Sequence, residues 1–462
     1  MSNKPFKSVH ITNYYHKNSG GISTAYNNLL EAANLHQRFV RLIVPGETDE
    51  VENIGEYGKI YYVKAEPFPF FDKRYRVLLP NKYIPDESPV RKILTAEMPD
   101  MIEICDKYSI SLLAGMIRKG YQRELNRPML VHSSCERMDD NINSYLTKAK
   151  IGKWFARRLM GNYNFAMFDF YLANSDYTAQ ELFDSVLISN NPRRSSKIFE
   201  FCWRYFHAAK VPIDERVFVN HCGVDIETFN VGRKNVEIRR QILRENRFAE
   251  NAKLLLYAGR ISPEKNVRIL PEIMKMLAQD KDESYCLIVA GDGPTAEKLK
   301  TDLQNATPDK SKFLGNLTDK QELANLYANA DVFIHPNPRE PFGIGPLEAM
   351  ASGTPVVAPN SGGILSYATG ENAWLVEPLA ENFVRQIQKI FSAPERCREK
   401  VVAALQTTKQ YTWKISTDRL FSFYDEMFED FSRRRELYVY QANSKNDKFT
   451  DLVSGNLPIT TN

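Results

Sequence analysis

The sequence predicts an α/β protein built from two doubly wound domains, each around a parallel sheet, with a crevice between them. Three observations lead there. The chain has 462 residues, beyond the size at which a single hydrophobic core usually stops growing. Short apolar runs alternate with helical stretches along most of its length, as in a parallel sheet covered by helices. That alternation starts with a strand–glycine–helix unit, runs to about residue 220, and restarts near residue 254.

The first unit opens with Ser8 to Thr12 (SVHIT), a β-rich run followed by polar residues and Gly20-Gly21. Ile22 to Ala33 then reads as a helix, completing the unit that begins a doubly wound sheet. Further strands are expected at Val40 to Val44, Lys59 to Val63, Met101 to Ile104, Pro128 to His132, Tyr171 to Asn174 and Arg216 to Asn220. Asn230 to Arg247 is charged, lacks strand character, and is the expected boundary region.

The second unit is written in uninterrupted apolar runs, the pattern of strands buried on both faces. They are Leu254 to Ala258 (LLLYA), Cys286 to Ala290 (CLIVA), Asp331 to His335 (DVFIH), Pro355 to Ala358 (PVVA) and Ala373 to Val376 (AWLV). Helices are expected to begin near Asn266 and after Thr295. Tyr411 to Phe428 is an amphipathic, aromatic-rich helix, and the polar residues after Ala442 read as a loosely held tail.

Composition removes several classes of function. Sixty-one basic residues against 57 acidic ones leave a net charge of +4, too balanced for a nucleic-acid binder. The six cysteines stand singly, without the paired spacing of a zinc site or a disulfide framework; free thiols in a reducing compartment are expected. The N-terminus has no apolar signal core, and no run of about 18 apolar residues occurs. The expected location is cytoplasmic, with at most a peripheral contact at the inner membrane face.

The strongest chemical signal is Asn337 to Glu348, N-P-R-E-P-F-G-I-G-P-L-E. Glycines here let the backbone approach a ligand and present N–H groups at a helix N-terminus, where an anion is stabilised. Glu340 and Glu348 flank that turn, and carboxylates accept hydrogen bonds from pairs of sugar or ribose hydroxyls. Acidic residues that only complement a helix dipole would look similar. The second signal is Ala258 to Asn266, A-G-R-I-S-P-E-K-N, at a strand end where open α/β sheets bind ligands. Arg260 and Lys265 supply a fork-shaped donor and a point charge, suited to a diphosphate. Two solvated surface cations are the plainer reading. A third signal, Asn18 to Ile22 with Gly20 and Gly21, lacks the full dinucleotide-binding pattern, and the second strand ends without an acidic residue. An NAD-dependent oxidoreductase is thereby disfavoured.

Taken in order, Gly20-Gly21-Ile22, N-H-C-G-V-D (Asn220 to Asp225), A-G-R-I-S-P-E-K-N, V-A-G-D-G-P (Val289 to Pro294), F-L-G-N-L (Phe313 to Leu317) and E-P-F-G-I-G-P-L-E resemble family 4 of the retaining glycosyltransferases. The resemblance covers about residues 8 to 430 and includes bacterial mannosyl- and glucosyl-transferases. It implies a GT-B fold: two Rossmann-like doubly wound domains facing a central cleft, with a C-terminal helix crossing back to the N-terminal domain. The implied division is 1–235 (acceptor binding), 236–410 (nucleotide-sugar binding), 411–430 (returning helix) and 431–462 (polar tail).

The same resemblance implies roles. Glu340 would hold hydroxyls of the donor sugar and Glu348 the nucleotide ribose, while Arg260 and Lys265 clamp the diphosphate. Backbone amides at Phe342, Gly343 and Ile344 would contact sugar or phosphate. Gly20 and Gly21 would approach the donor from the first domain, with Asn316 and Leu317 beside the base. His132, in L-V-H-S-S-C, matches a catalytic position, although a satisfied core histidine is the competing reading; Cys135 stands where an acidic residue would be common. No metal and no cofactor are implied, the donor being a UDP-, GDP- or ADP-sugar.

The expected function is therefore metal-independent transfer of a hexose, with retention, to a saccharide or lipid-linked acceptor by a front-face mechanism. The alternatives are a GT-B epimerase, a phosphorylase, or a non-catalytic nucleotide-sugar-binding protein. Two stretches, 148–163 and 193–210, join cations to aromatics and could meet an anionic membrane, although ordinary surface helices would read the same way. Phe70 to Pro80 loosely resembles glycolipid mannosyl- and glucosyl-transferases.

Overall fold

The computed structural model describes residues 6–15, 20–67, 76–145, 150–189 and 196–439. Five of the expectations above fall wholly or partly outside those residues: Asn18 and Ser19, most of Phe70 to Pro80, the starts of the two cationic stretches, and the tail from residue 440 onward. The chain divides into two compact units, one of residues 1–220 with 417–462, the other of 221–416. The division thus falls before the anticipated 235/236, for a physical reason. Val224 N–H donates to the Tyr411 carbonyl at 2.8 Å and Gly223 lies against the backbone of Trp413, so the segment from His221 is tied into the second unit.

The first unit holds an eight-stranded sheet in the order β3-β4-β2-β1-β5-β6-β7-β8. Its strands are β1 (Lys7–Thr12), β2 (Phe39–Gly46), β3 (Glu50–Ile54), β4 (Gly58–Lys64), β5 (Met101–Cys105), β6 (Met129–Ser134), β7 (Phe170–Ala173) and β8 (Val217–Val219). All neighbours are parallel except β3 with β4, an antiparallel edge hairpin. Successive strand residues point to opposite faces. Val9, Ile11, Ile102 and Ile104 enter one core layer, while Val40, Leu42, Val44 and Met101 enter the other.

That second layer also receives Phe421, Tyr424, Met427 and Phe431 from the helix Trp413–Arg433. Their three- and four-residue spacing lines one helix face. Each buried side chain is worth about 2 kcal/mol at most, and the Tyr424 hydroxyl donates to buried Glu103 at 2.6 Å. The helix is thereby anchored in the first unit.

The second unit carries a six-stranded, wholly parallel sheet in the order β11-β10-β9-β12-β13-β14. Its strands are β9 (Lys253–Ala258), β10 (Tyr285–Ala290), β11 (Ser311–Gly315), β12 (Val332–Ile334), β13 (Val356–Pro359) and β14 (Trp374–Val376). Leu254, Leu256 and Ile288 face one apolar layer; Leu255, Tyr257, Leu287 and Val289 face the other. The order runs outward one way from β9 through β10 and β11, and the other way from β12 through β13 and β14. The switch point therefore lies between the carboxyl ends of β9 and β12, where such sheets bind ligands.

Candidate active site

Two loops meet at the β9/β12 switch point. After β9 the chain runs Gly259-Arg260-Ile261 through a short turn, Pro263–Lys265, to Asn266, whose φ of +54° is left-handed. The Asn266 side-chain amide donates to the Pro336 carbonyl at 3.0 Å, tying this loop to the one after β12. The Gly259 N–H donates to Ala290 O at 2.9 Å, Ile261 N–H to Asp292 O at 3.0 Å, and Gly291 N–H to Gly315 O at 2.7 Å. Three strand-end loops are thus laced edge to edge by backbone hydrogen bonds. Gly291 is required for this: with φ +150°, a Cβ there would lie 1.9 Å from the Gly259 carbonyl oxygen.

After β12 come His335, Asn337 and Glu340. The Glu340 carboxylate is buried and accepts from Lys265 Nζ at 3.0 and 2.8 Å and from Asn337 Nδ2 at 3.0 Å. His335 Nε2 lies 3.5 Å from the same carboxylate. Burial alone would raise the Glu340 pKa; the Lys265 ammonium, the His335 ring and the Asn337 amide overcome it and hold the carboxyl at about 2. His335 goes the opposite way. Burial drives it down to about 4, only partly opposed by Glu340, so near neutral pH its ring is uncharged.

Without a donor bound, Lys265 is thus turned onto a carboxylate. It is the principal partner of Glu340. Arg260 is half-buried, and its carbonyl accepts from the Tyr257 hydroxyl at 2.7 Å.

The helix Ile344–Ala351 starts at Gly343, which has φ +92°. Its first N–H groups have no partner one turn back, and Pro346 supplies none. The donors at Gly343, Ile344 and Gly345 are thus a place for negative charge. The Tyr367 hydroxyl holds the Gly343 carbonyl. A Cβ on Gly345 would stand 3.6 Å from Ala258 O, so this turn closes directly onto the end of β9. Phe342 is buried, with its ring 5.2 Å from Tyr367 and 5.8 Å from His221, and offers a ligand only its backbone.

Glu348, one turn into the helix, is half-buried. Burial pushes its carboxyl up to about 8, against the Tyr327 hydroxyl and Lys320, with Asp225 adding to the rise. The folded value exceeds the ordinary 4.5. Between those two values the folded chain keeps a proton that the unfolded chain has released, so stability falls as pH rises through that window. Glu348→Gln is expected to melt like the parent near pH 4.5 and above it at pH 8 to 9, the window ends being those two pKa values. Parallel melting curves for parent and variant across the whole range would show that this carboxyl carries no buried proton.

The remaining candidates lie elsewhere. Asn316 is exposed and Leu317 packs on the second unit's core, both just after β11. Gly20 and Gly21 are exposed at the start of the helix Gly21–Leu35, Gly20 with φ +99° and no atom within 4 Å of an added Cβ. His132 is fully buried in the first unit, its ring 4.9 Å from Phe168 and 6.2 Å from Tyr171. Burial, with Lys107 adding, drives its pKa down to about 3. It is a neutral core histidine that reaches no surface. Next to Cys135, Glu136 is a half-buried carboxylate accepting from Tyr14 at 3.1 Å and Asn141 at 2.8 Å.

Sequence reasoning overlooked His335, Asn337 and Glu136. The available signal was positional: polar residues directly after a buried strand, within five residues of a chemically loaded position. Among the described residues, no group of three or more His, Cys, Asp or Glu is arranged to hold a metal ion.

Residues 238–405 match the family model for glycosyl transferases group 1. The GDP-mannose-dependent alpha-(1-6)-phosphatidylinositol dimannoside mannosyltransferase of Mycobacterium tuberculosis is 26% identical over 408 residues, covering 88% of this chain and 92% of its own. The chain is a GT-B glycosyltransferase. A GDP-mannose-dependent alpha-mannosyltransferase of Corynebacterium glutamicum is 25% identical over 431 residues, covering 92% of the transferase and 90% of that relative. Solved structures agree on the fold. Anabaena HepE in complex with UDP and glucose aligns with a TM-score of 0.64 at 15% identity, over 91% of the transferase and 100% of HepE. Sucrose-phosphate synthase from Thermosynechococcus elongatus gives 0.66 at 18%, over 92% and 99%.

Proposed function

We propose that the transferase moves mannose from GDP-mannose to a hydroxyl of a lipid-linked saccharide, with retention of configuration, without a metal, and from a peripheral position at the inner membrane face. The observation that carries the reading is the grouping of Arg260, Lys265 and Glu340 beside the N-terminus of the helix Ile344–Ala351, at the switch point of the second sheet. The choice of donor and acceptor draws on two relatives named for GDP-mannose, one of them for a phosphatidylinositol dimannoside.

In this reading the diphosphate lies against the helix N-terminus and Arg260, where preorganised donors stabilise the charge of the departing group. Lys265 turns from Glu340 toward the phosphate, and Glu340 takes hydroxyls of the sugar. The bond from C1 to the phosphate oxygen breaks as the acceptor oxygen bonds C1 on the same face. The acceptor's proton passes to the departing phosphate oxygen. Glu348 holds the ribose, and Asn316 and Leu317 flank the base.

A thermal-shift panel tests the donor, because a ligand bound only by the native state raises Tm by mass action. GDP-mannose at about 100 times its Kd is expected to add about 2.7 kcal/mol of stability, with UDP- and ADP-sugars well below it. Proton NMR of the product should show the α-anomer, in buffer containing EDTA. A β-linked product, or transfer abolished by EDTA and restored by a divalent cation, would overturn the mechanism.

A further inference from the structure

The helix Ser196–Tyr205 in the first unit is apolar on two faces, and only one of them is covered. Phe199, Cys202 and Trp203 point inward and are buried, the indole N–H donating to Gly161 O at 3.0 Å. Ile198, Phe201 and Tyr205, spaced three and four residues apart, point outward and are 52%, 67% and 48% exposed. Phe201 and Tyr205 stack at 6.1 Å between centroids. Three neighbouring large side chains facing water mark an interaction surface rather than scattered exposure.

The stripe is flanked by positive charge. Lys197 and Arg204 lie on the same outward face, with Glu200 as the helix's one acidic residue. Lys119 adds its ammonium 4.6 Å from the Tyr205 ring centroid. Beyond the turn Met160–Asn164, on which this helix packs, the helix Lys150–Leu159 repeats the pattern: Trp154 and Phe155 are exposed, and Arg158 lies 4.8 Å from the Trp154 ring.

We propose that the outward face of Ser196–Tyr205 docks on an anionic lipid surface, with Ile198, Phe201 and Tyr205 entering the headgroup region and the surrounding lysines and arginines meeting lipid phosphates. Aromatic and aliphatic side chains ringed by cations are the chemistry of an interfacial helix. The other occupant available within the chain is residues 440–462, which follow Tyr438, whose carbonyl shares Arg118 with those of Phe206 and His207. The side chains of that segment carry Lys445 and Lys448 against Asp447 and Asp451, so they bring no net charge to a cationic face. A phosphate-bearing bilayer matches it; the tail does not. The proposal rests on the lipid-acceptor reading above for its purpose only, and its test contains neither donor nor acceptor.

The test is flotation of the full chain with vesicles of phosphatidylcholine alone or mixed with phosphatidylglycerol. Binding is expected only to the mixed vesicles and should weaken as NaCl rises from about 0.1 M to about 0.5 M, where screening shortens. Ile198→Ser with Phe201→Ser should reduce it at least tenfold, while leaving the GDP-mannose thermal shift intact. If the double variant melts early, Phe201→Ser alone carries the comparison. Absence of binding to mixed vesicles, or equal binding by parent and variants, overturns the proposal. So does binding that appears only after residues 440–462 are removed, which would assign the face to the tail. A parent dimer in solution that the variants dissolve, without vesicle binding, would assign it to a second copy.

Discussion

Glu340→Gln is expected to lower glycosyl transfer by about 10²- to 10³-fold, the range for removing one preorganised charge-stabilising group from an active site. The amide keeps the size and can still accept from Asn337, so local geometry is preserved. What it loses is the charge that Lys265 and the hydroxyls of the donor sugar would share. The structure gives the variant a second signature. With the carboxylate gone, Lys265 is released from its 2.8 Å partner and becomes available to phosphate. With GDP-mannose as the proposed donor, free GDP should therefore bind the variant as tightly as the parent or more tightly, while turnover of the donor collapses. Steady-state kinetics and GDP titration separate the two effects. Transfer near the parent rate would remove Glu340 from the chemistry, and a parallel loss of GDP affinity would place it on the nucleotide instead.

Gly291→Ala is the substitution expected to damage the second unit most. A Cβ at that position falls 1.9 Å from the Gly259 carbonyl oxygen. Both partners are backbone, so no rotamer change relieves the contact. Either the Gly259-Arg260-Ile261 loop moves or the strand ends separate. Overpacking in a well-packed region costs about 1 to 3 kcal/mol, and the unfavourable φ adds about 1 kcal/mol or more. For a unit of this size each kcal/mol lowers Tm by about 2 to 4 °C, so the combined cost of about 2 to 4 kcal/mol gives an expected fall of roughly 4 to 16 °C, with weakened donor stabilisation because Arg260 rides on the displaced loop. Gly315→Ala is the matched control. It also has positive φ, +69°, but no atom lies within 4 Å of its added Cβ, so it should cost about 1 kcal/mol from conformation alone. Equal melting of the two variants would refute the close-approach explanation for Gly291.

The strands of both sheets were legible where burial on two faces turned them into unbroken apolar runs, as in Leu254 to Ala258 and Cys286 to Ala290. Two strands were not. Glu50–Ile54 forms the exposed edge of an antiparallel hairpin, and its charged, half-wet residues carry no such run. Ser311–Gly315 is the edge of the second sheet and half-buried throughout, which leaves room for Lys312 and hides the apolar signal. The expected helix near Asn266 begins at Leu270 instead, because Asn266 sits in the left-handed region between two short turns.

Residue identity and spacing alone determined that this chain has two α/β units, that glycines and acidic residues crowd one helix start, and that two cations lie at one strand end. These are consequences of local periodicity and backbone chemistry. Who pairs with whom was decided only by tertiary structure. Lys265 could have pointed to solvent, and the turn through Asn266 instead brings it to Glu340, 75 residues away in sequence. His132 carries the same chemistry wherever it stands, yet packing against Phe168 and Tyr171 keeps it neutral and out of reach. A side chain's charge and access to substrate depend on neighbours gathered from distant segments, and no linear pattern encodes that gathering directly.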